Sequence, residues 1–421
     1  MTPLLAVIFP LLLLLAVPVA HALLIAAGGA VLIEGRVPVI ITAQRLYSPT
    51  QDFPMLAIPF FILAGNLMMS GSFGRSLIDF AKVCVGRLRG GLAQVSVLGS
   101  MIFGGVSGSA VADATALGNA LIPVQKREGY PPGLAAAVNA SSSTVSVLIP
   151  PSIPLIIYGL VSETSIIDLF ISGIVPAVML VFGMLLACWL VSSLRGIPLA
   201  AEPGGWRRFL ATLGRSLPAV LMPVFVIATL RFGVATPTEV SVMAVAYALV
   251  VGHFVYRDLS LRSIYRAIIE AGVVTGAVML IIMASSLIQW ILTLERVPVE
   301  LAAWVLAALE EPWAIILAMN VVMLLIGTFL DLPAAILLLT PIFSQIAAVI
   351  GMDPVQLGVM MVLNLSIGLY TPPVGTTLFI STSIAGNRIG NTISELPPFY
   401  LVAIAVTLLV SYVPWVALAF L

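Results

Sequence analysis

Residues 104–113 read GGVSGSAVAD, a glycine- and serine-rich break between two apolar runs that closes on an acid. A membrane-embedded chain tolerates an acid poorly at such a depth. A partner lies far downstream, where residues 327–331, GTFLD, also end an apolar run on an acid. Asp113 and Asp331 are each followed at the same interval by a proline, Pro123 and Pro341. Each half then carries an Asn/Ser/Thr-rich segment ending in a proline pair, Asn139 to Pro150-Pro151 and Asn364 to Pro372-Pro373. The pattern reads as one device built twice.

Composition places that device in a bilayer. With 61% hydrophobic against 9% charged residues, and apolar runs near the length of a membrane span, the chain reads as an all-α polytopic membrane protein. The 18 basic residues are scattered between apolar runs rather than gathered on one face, so no nucleic acid is expected as a partner. Cys84 and Cys188 suggest neither a disulfide framework nor a zinc site, and no transition metal is expected. His21 and His253 stand alone, and no HExxH, GxSxG or phosphate-binding loop occurs, so nothing supports catalysis or ATP drive. The run Leu4 to Val19 lacks a basic leader and is expected to be a retained span rather than a signal peptide.

Taken outward from the breaks, spans are expected at 4–19, 20–34 and 53–70, followed by a basic amphipathic helix over 75–89 at the membrane surface. Residues 91–124 are interrupted at the GGVSGS stretch and should form a re-entrant hairpin, because non-helical backbone survives at membrane depth only where protein or a wet cavity satisfies it. A broken span over 131–160 and a span over 166–194 follow, and 195–216 reads as a linker between halves. The second half repeats the order: spans at 217–231, 238–256 and 270–293, an acidic surface helix over 295–311, a hairpin over 312–349, a broken span over 355–380 and a last span at 398–420.

A basic surface helix before one hairpin and an acidic one before the other suit two halves inserted with opposite orientation. Under that topology, fourteen basic residues (75, 82, 87, 89, 126, 127, 195, 207, 208, 215, 257, 262, 266 and 388) are cytoplasmic, while Arg36, Arg45, Arg231 and Arg296 lie outside. Both termini are then periplasmic. The expected division is 1–90 (scaffold spans and basic arm), 91–195 (first half of a mobile unit), 196–311 (linker, scaffold spans and acidic arm), 312–395 (second half of that unit) and 396–421 (C-terminal span).

An aspartate near the bilayer centre costs about 2.5–3.5 kcal/mol, so Asp113 and Asp331 require partners or a purpose. Either could simply cap the second helix of its hairpin. The oxygen-rich residues around the breaks suit a small hard cation such as sodium, which takes several oxygen ligands, and two breaks imply two sites. The competing reading is that Ser and Thr in membrane helices bond their own backbone. No Lys or Arg occurs from Gly91 to Gln125 or from Trp313 to Asn387, so an anion there would be met by helix N-termini, hydroxyls and bound cations.

GGVSGSAVADATALG, IPPSIPLIIYG, TPTE at 236–239 and NLSIGLYTPPVGTTLF resemble the large membrane subunit of tripartite ATP-independent periplasmic (TRAP) transporters over essentially the whole chain. The resemblance implies a sodium-coupled subunit in the bacterial inner membrane that imports a small organic acid by an elevator motion of a transport domain against a scaffold. It implies two partners, a small membrane subunit and a periplasmic substrate-binding protein, besides the lipid bilayer. The expected sodium ligands are Ser107, Gly108, Ser109, Asn139, Ser142, Ser143, Thr144, Gly327, Thr328, Asn364, Ser366 and Thr371, and the expected substrate contacts are Ser109, Asp113, Asp331 and Thr376. A self-sufficient carrier of related fold needing no binding protein, and more remotely a polytopic membrane enzyme or scaffold, are the competing readings.

Overall fold

A computed structural model describes residues 1–15, 17–69, 72–197, 206–309 and 311–421. Among them the regular structure is helical, with no strand. Five helices are each long and apolar enough to cross a bilayer: Ile166–Leu194, Phe209–Arg231, Pro237–Tyr256, Leu261–Leu294 and Leu332–Val349. Their starts are set by local chemistry. Ser165 Oγ accepts the Asp168 N–H at 3.3 Å. Thr236 and Glu239, the ends of the TPTE motif, form a reciprocal capping box, Glu239 accepting the Thr236 N–H at 2.7 Å and returning its own N–H to Thr236 Oγ1 at 3.4 Å.

Several expected boundaries move. The first two apolar runs become helices Thr2–Leu14 and Val19–Glu34, roughly 20 and 24 Å long at 1.5 Å per residue, each shorter than the ~30 Å hydrocarbon core. The expected linker 195–216 is helical from Trp206 onward, its residues 198–205 lying outside the described ones. The span expected from about 270 begins at Leu261. In both cases hydropathy marks only the segment that sits in hydrocarbon, whereas hydrogen bonding carries a helix on into the aqueous boundary. Before Ala57–Met69 the chain bends by 62° where short helical turns over Ser48–Gln51 and Phe53–Leu56 meet.

The two breaks are present. Gly91–Ser107 and Ala110–Arg127 form one helical hairpin, Pro312–Gly327 and Leu332–Val349 the other. Beside them run two broken helices: Pro132–Ser142, a short 3-10 turn Ser143–Val147 and Ile153–Ser162; then Pro354–Gly368 and Thr376–Ala385. Both proline pairs in the gaps, Pro150-Pro151 and Pro372-Pro373, are cis. The broken helices form the centre of the molecule: every residue of Gly133 to Ser142 and of Val355 to Gly368 is buried. Helices apolar on all sides are expected there rather than at a half-wet surface.

Corresponding elements lie 222 positions apart: helix starts 110 and 332, helix starts 132 and 354, proline pairs 150 and 372. The two acids are spaced differently, 113 to 331, which is 218. Asp331 therefore stands in the place of Ser109, and the counterpart of Asp113 is Ala335, one helical turn further in. The reading of the two acids as equivalent is corrected accordingly: matching them by their prolines slips the register by one turn.

The surface helices also differ. Ser72–Val85 turns Phe73, Leu77 and Ala81 inward. Val297–Ala308 buries Pro298 and Ala302 but leaves Val299 and Trp304 exposed.

Candidate functional site

Each hairpin turn is fastened to the gap in the neighbouring broken helix by one backbone hydrogen bond. Gly108 C=O accepts the Ile153 N–H at 3.4 Å, and Thr328 C=O accepts the Val374 N–H at 3.2 Å. The first turn needs a glycine. Gly108 has φ +56°, and a Cβ built there would stand 1.9 Å from the Pro151 carbonyl oxygen. At the second turn Gly327 and Gly368 pack backbone to backbone, a Cβ on Gly368 falling 2.0 Å from the Gly327 carbonyl oxygen.

Of the expected ion ligands, Ser107 to Ser109 and Gly327 to Thr328 form the two turns, while Asn139 and Asn364 lie further along the broken helices, beside Ala114 and Asn320. Asn139, Ser142, Ser143 and Thr144 are buried on the first broken helix, Asn364 and Ser366 on the second. Their hydroxyls bond the helix they sit on: Ser143 to Ala140 C=O at 2.9 Å, Thr144 to Ser141 C=O at 2.7 Å, Ser366 to Leu363 C=O at 2.7 Å, Thr371 to Ile367 C=O at 2.6 Å and Thr328 to Leu325 C=O at 2.8 Å. That is the backbone-bonding pattern of the competing reading, yet a hydroxyl that has donated its proton keeps acceptor lone pairs. Asn364 supplies the sharper test. Its amide donates to the Asn320 carbonyl at 3.1 Å and to Asn320 Oδ1 at 2.7 Å, while its own Oδ1 is buried without a donor among the described residues. An orphaned buried acceptor costs free energy unless something positive completes it. The donor set fits a small cation.

The two halves interlock through side chains. Asn139 Nδ2 donates to Ala114 C=O at 2.9 Å and to Ser381 Oγ at 2.8 Å, and Thr377 Oγ1 donates to Ala140 C=O at 3.1 Å. Lys126 Nζ reaches Ala385 C=O at 2.7 Å, and Arg195 forms a two-pronged pair with Glu395 at 2.8 and 2.6 Å.

Between the hairpin turns and the helices Ala57–Met69 and Leu261–Leu294 lies a cavity of ≈ 580 Å³, with apolar walls that include Ile62, Phe103, Val278 and Ile281. Ser107, Gly108, Ser109 and Asp331 of the expected sets line it. Asp113 and Thr376, expected at a substrate, are absent from its lining. Asp113, four residues after the Ser109 cap, is fully buried beside Ser100, and neither carboxyl oxygen is within hydrogen-bond distance of a partner among the described residues. Sequence reasoning missed Glu270 and Asn66, which line the cavity from its far side, and Asn320, which holds Asn364. Glu270 was legible only as an acid at the very start of the span expected over 270–293; its facing requires the fold.

The family model described as "Tripartite ATP-independent periplasmic transporter, DctM component" matches residues 6–416. The chain belongs to this family. It is 52% identical to an uncharacterized protein, y4mL, of Sinorhizobium fredii, over 98% of this chain and 99% of that protein. It is 38% identical to the C4-dicarboxylate TRAP transporter large permease protein of Pseudomonas aeruginosa, over 90% of this chain and 88% of the relative. Among solved structures, the YdaH transporter of Alcanivorax borkumensis shares the fold, with a TM-score of 0.61 at 16% identity, over 87% of this chain and 85% of that one. Like its relatives, this TRAP large permease is a multi-pass membrane protein and a transporter component by family.

Proposed function

We propose that this permease imports a small organic acid together with sodium, receiving the acid from a periplasmic binding protein and working with a small membrane subunit. Residues 91–195 and 312–395 form the transport domain, and the helices before each hairpin form the scaffold against which it slides. The halves are inserted with opposite orientation, in the bacterial inner membrane, with both termini periplasmic. The observation that carries this reading is the paired joint: two hairpin turns, each bonded to the gap in a buried helix, the second of which holds Asn364 Oδ1 without a donor among the described residues. Sodium bound at Ser107–Ser109 with Asn139–Thr144, and at Gly327–Thr328 with Asn364–Thr371, completes the polar backbone at each joint. Substrate and sodium together then let the domain pass the scaffold, since an uncompensated polar turn is costly away from water.

The cavity reaches Glu270, about 14 Å along its helix from Leu261 at 1.5 Å per residue. That helix begins beside Arg257, Arg262 and Arg266, so the positive-inside bias makes the cavity an inward-open one. Reconstituted uptake tests the whole reading. Radiolabelled acid should accumulate in vesicles only with a sodium gradient, the small subunit and the binding protein all present. Uptake by this chain alone would replace the tripartite reading with that of a self-sufficient carrier. Uptake indifferent to sodium would remove the ion sites.

A further inference from the structure

Two helices carry the wall of the cavity on toward the basic side of the membrane. On Leu261–Leu294 the residues Glu270, Val274 and Ala277 line the cavity, and Arg266, four positions before Glu270, falls on the same face. It stands about 6 Å nearer the start of that helix, exposed and in no ion pair among the described residues. On Ala110–Arg127 the cavity-lining residues Val111 and Thr115 begin an exposed face that continues through Asn119 and Pro123 at the same four-residue spacing. Asn119 Nδ2 donates to the Thr115 C=O at 2.8 Å, which leaves its own carbonyl oxygen open. At the end of this face Arg127 Nε donates to the Pro123 C=O at 3.3 Å, holding the guanidinium against the last turn.

An exposed threonine and asparagine one turn apart in a membrane-embedded helix are costly against lipid and stable against water. The two faces therefore mark a wet passage that continues the cavity toward the helix ends that carry Arg266 and Arg127. Lys126 is not free to join them, since its Nζ is held by the Ala385 C=O at 2.7 Å. The acids on the two helices near the passage are Glu270 and, next to Arg127, the exposed Glu128; neither is in an ion pair among the described residues. No Lys, Arg or His lines the cavity itself among the described residues. An anion on its way out thus passes Glu270, a like charge, before it meets a base; Arg266, one turn on, is close enough to offset that charge.

We propose that the cavity discharges through this passage, and that Arg266 and Arg127 form a cationic rim that favours small organic anions for release on that side. This rests on the carrier reading above and deepens it by naming the residues that pass the acid out. A narrow wet passage between low-dielectric walls focuses the field of the charges at its mouth, so two guanidinium groups there raise the local concentration of an anion and steer its movement. Arginine holds this charge at any physiological pH. The rim acts on charge rather than on shape, so it discriminates anion from cation and leaves the choice among acids to other parts of the transporter.

Two thiol reagents of similar size and opposite charge test the rim without knowledge of the substrate. In a background of Cys84→Ser and Cys188→Ala, the substitutions Ala277→Cys and Thr115→Cys each put one thiol on the cavity wall. Purified permease, assembled with its small subunit in nanodiscs, is treated at low salt with the anionic sulfonatoethyl or the cationic trimethylammonioethyl methanethiosulfonate, and the two modification rates are compared. Arg266→Gln should lower the anionic-to-cationic rate ratio at least threefold in the Ala277→Cys protein, and Arg266→Lys should keep most of it. Arg127→Gln should act in the same direction in the Thr115→Cys protein, and covers the case in which Arg266→Gln does not fold. Salt at about 1 M, where screening sets in within about 3 Å, should erase both differences. A ratio untouched by both glutamine substitutions, a difference that survives high salt, or thiols that neither reagent reaches would overturn the inference. Those outcomes leave the carrier reading standing wherever reconstituted uptake is sodium-dependent; loss of that dependence sinks the carrier reading whatever the two reagents do.

Discussion

The first and second hairpins share a backbone plan and differ in chemistry. Both have arms of similar length, Gly91–Ser107 with Ala110–Arg127 and Pro312–Gly327 with Leu332–Val349, and both hand one turn carbonyl to the gap beside a cis proline pair. Yet the first turn is built on a left-handed glycine and a serine cap, the second on a threonine and an aspartate. The common plan recurs at an offset of 222 positions, while the chemistry at equivalent positions diverges.

Substitutions can break or sharpen that contrast. The largest effect is expected at the glycines. Gly108→Ala combines a left-handed backbone, about 1–2 kcal/mol, with a clash against Pro151 that adds roughly 1–3 kcal/mol, so folded yield and Tm should fall steeply. Gly327→Ala meets nothing closer than the Leu365 carbonyl oxygen at 3.2 Å and should cost clearly less. Equal losses at the two positions would erase the asymmetry between the turns.

Removing the caps comes next. Ser109→Ala should cost about 1 kcal/mol in thermal or denaturant stability and Asp331→Ala less, because Ser109 caps its helix through the Ala112 N–H whereas Asp331 makes no side-chain cap hydrogen bond. Equal losses would remove this difference between the two turns.

Sodium dependence discriminates further. Asn364→Ala removes an acceptor that has no donor, and should raise the sodium concentration for half-maximal uptake several-fold. Ser109→Ala and Thr371→Ala should move it in the same direction but less, since each takes away a single neutral ligand. A sodium curve unchanged in all three variants would leave the joints as structural features only. Smallest is the Arg195–Glu395 pair at the exposed ends of the two halves. Arg195→Ala should change stability by less than about 1 kcal/mol, because long side chains at a wet surface gain little from pairing.

The sequence carried a good deal of this. The hairpin breaks near Gly108 and before Asp331, the proline-pair gaps and the run Ile166–Leu194 were all legible, because glycine, proline and hydropathy act locally and announce where a helix stops. The joint residues Ser107, Ser109, Asn139 and Asn364 were legible as candidates for the same reason: polar groups are conspicuous in an apolar run. The register between the halves was not, since two acids and two prolines matched at one interval while the helices that hold them are offset by a turn.

By itself, then, the order of residues determined the membrane class, the two interrupted helix pairs and the family, all of them consequences of short-range pattern. Tertiary structure alone decided which oxygens lack a partner, that Asp113 turns away from the cavity while Asp331 lines it, and that Glu270 faces them from another helix. Those depend on the direction of a side chain relative to elements far away in the chain, and hydrophobic periodicity carries no information about direction between elements that meet only after folding.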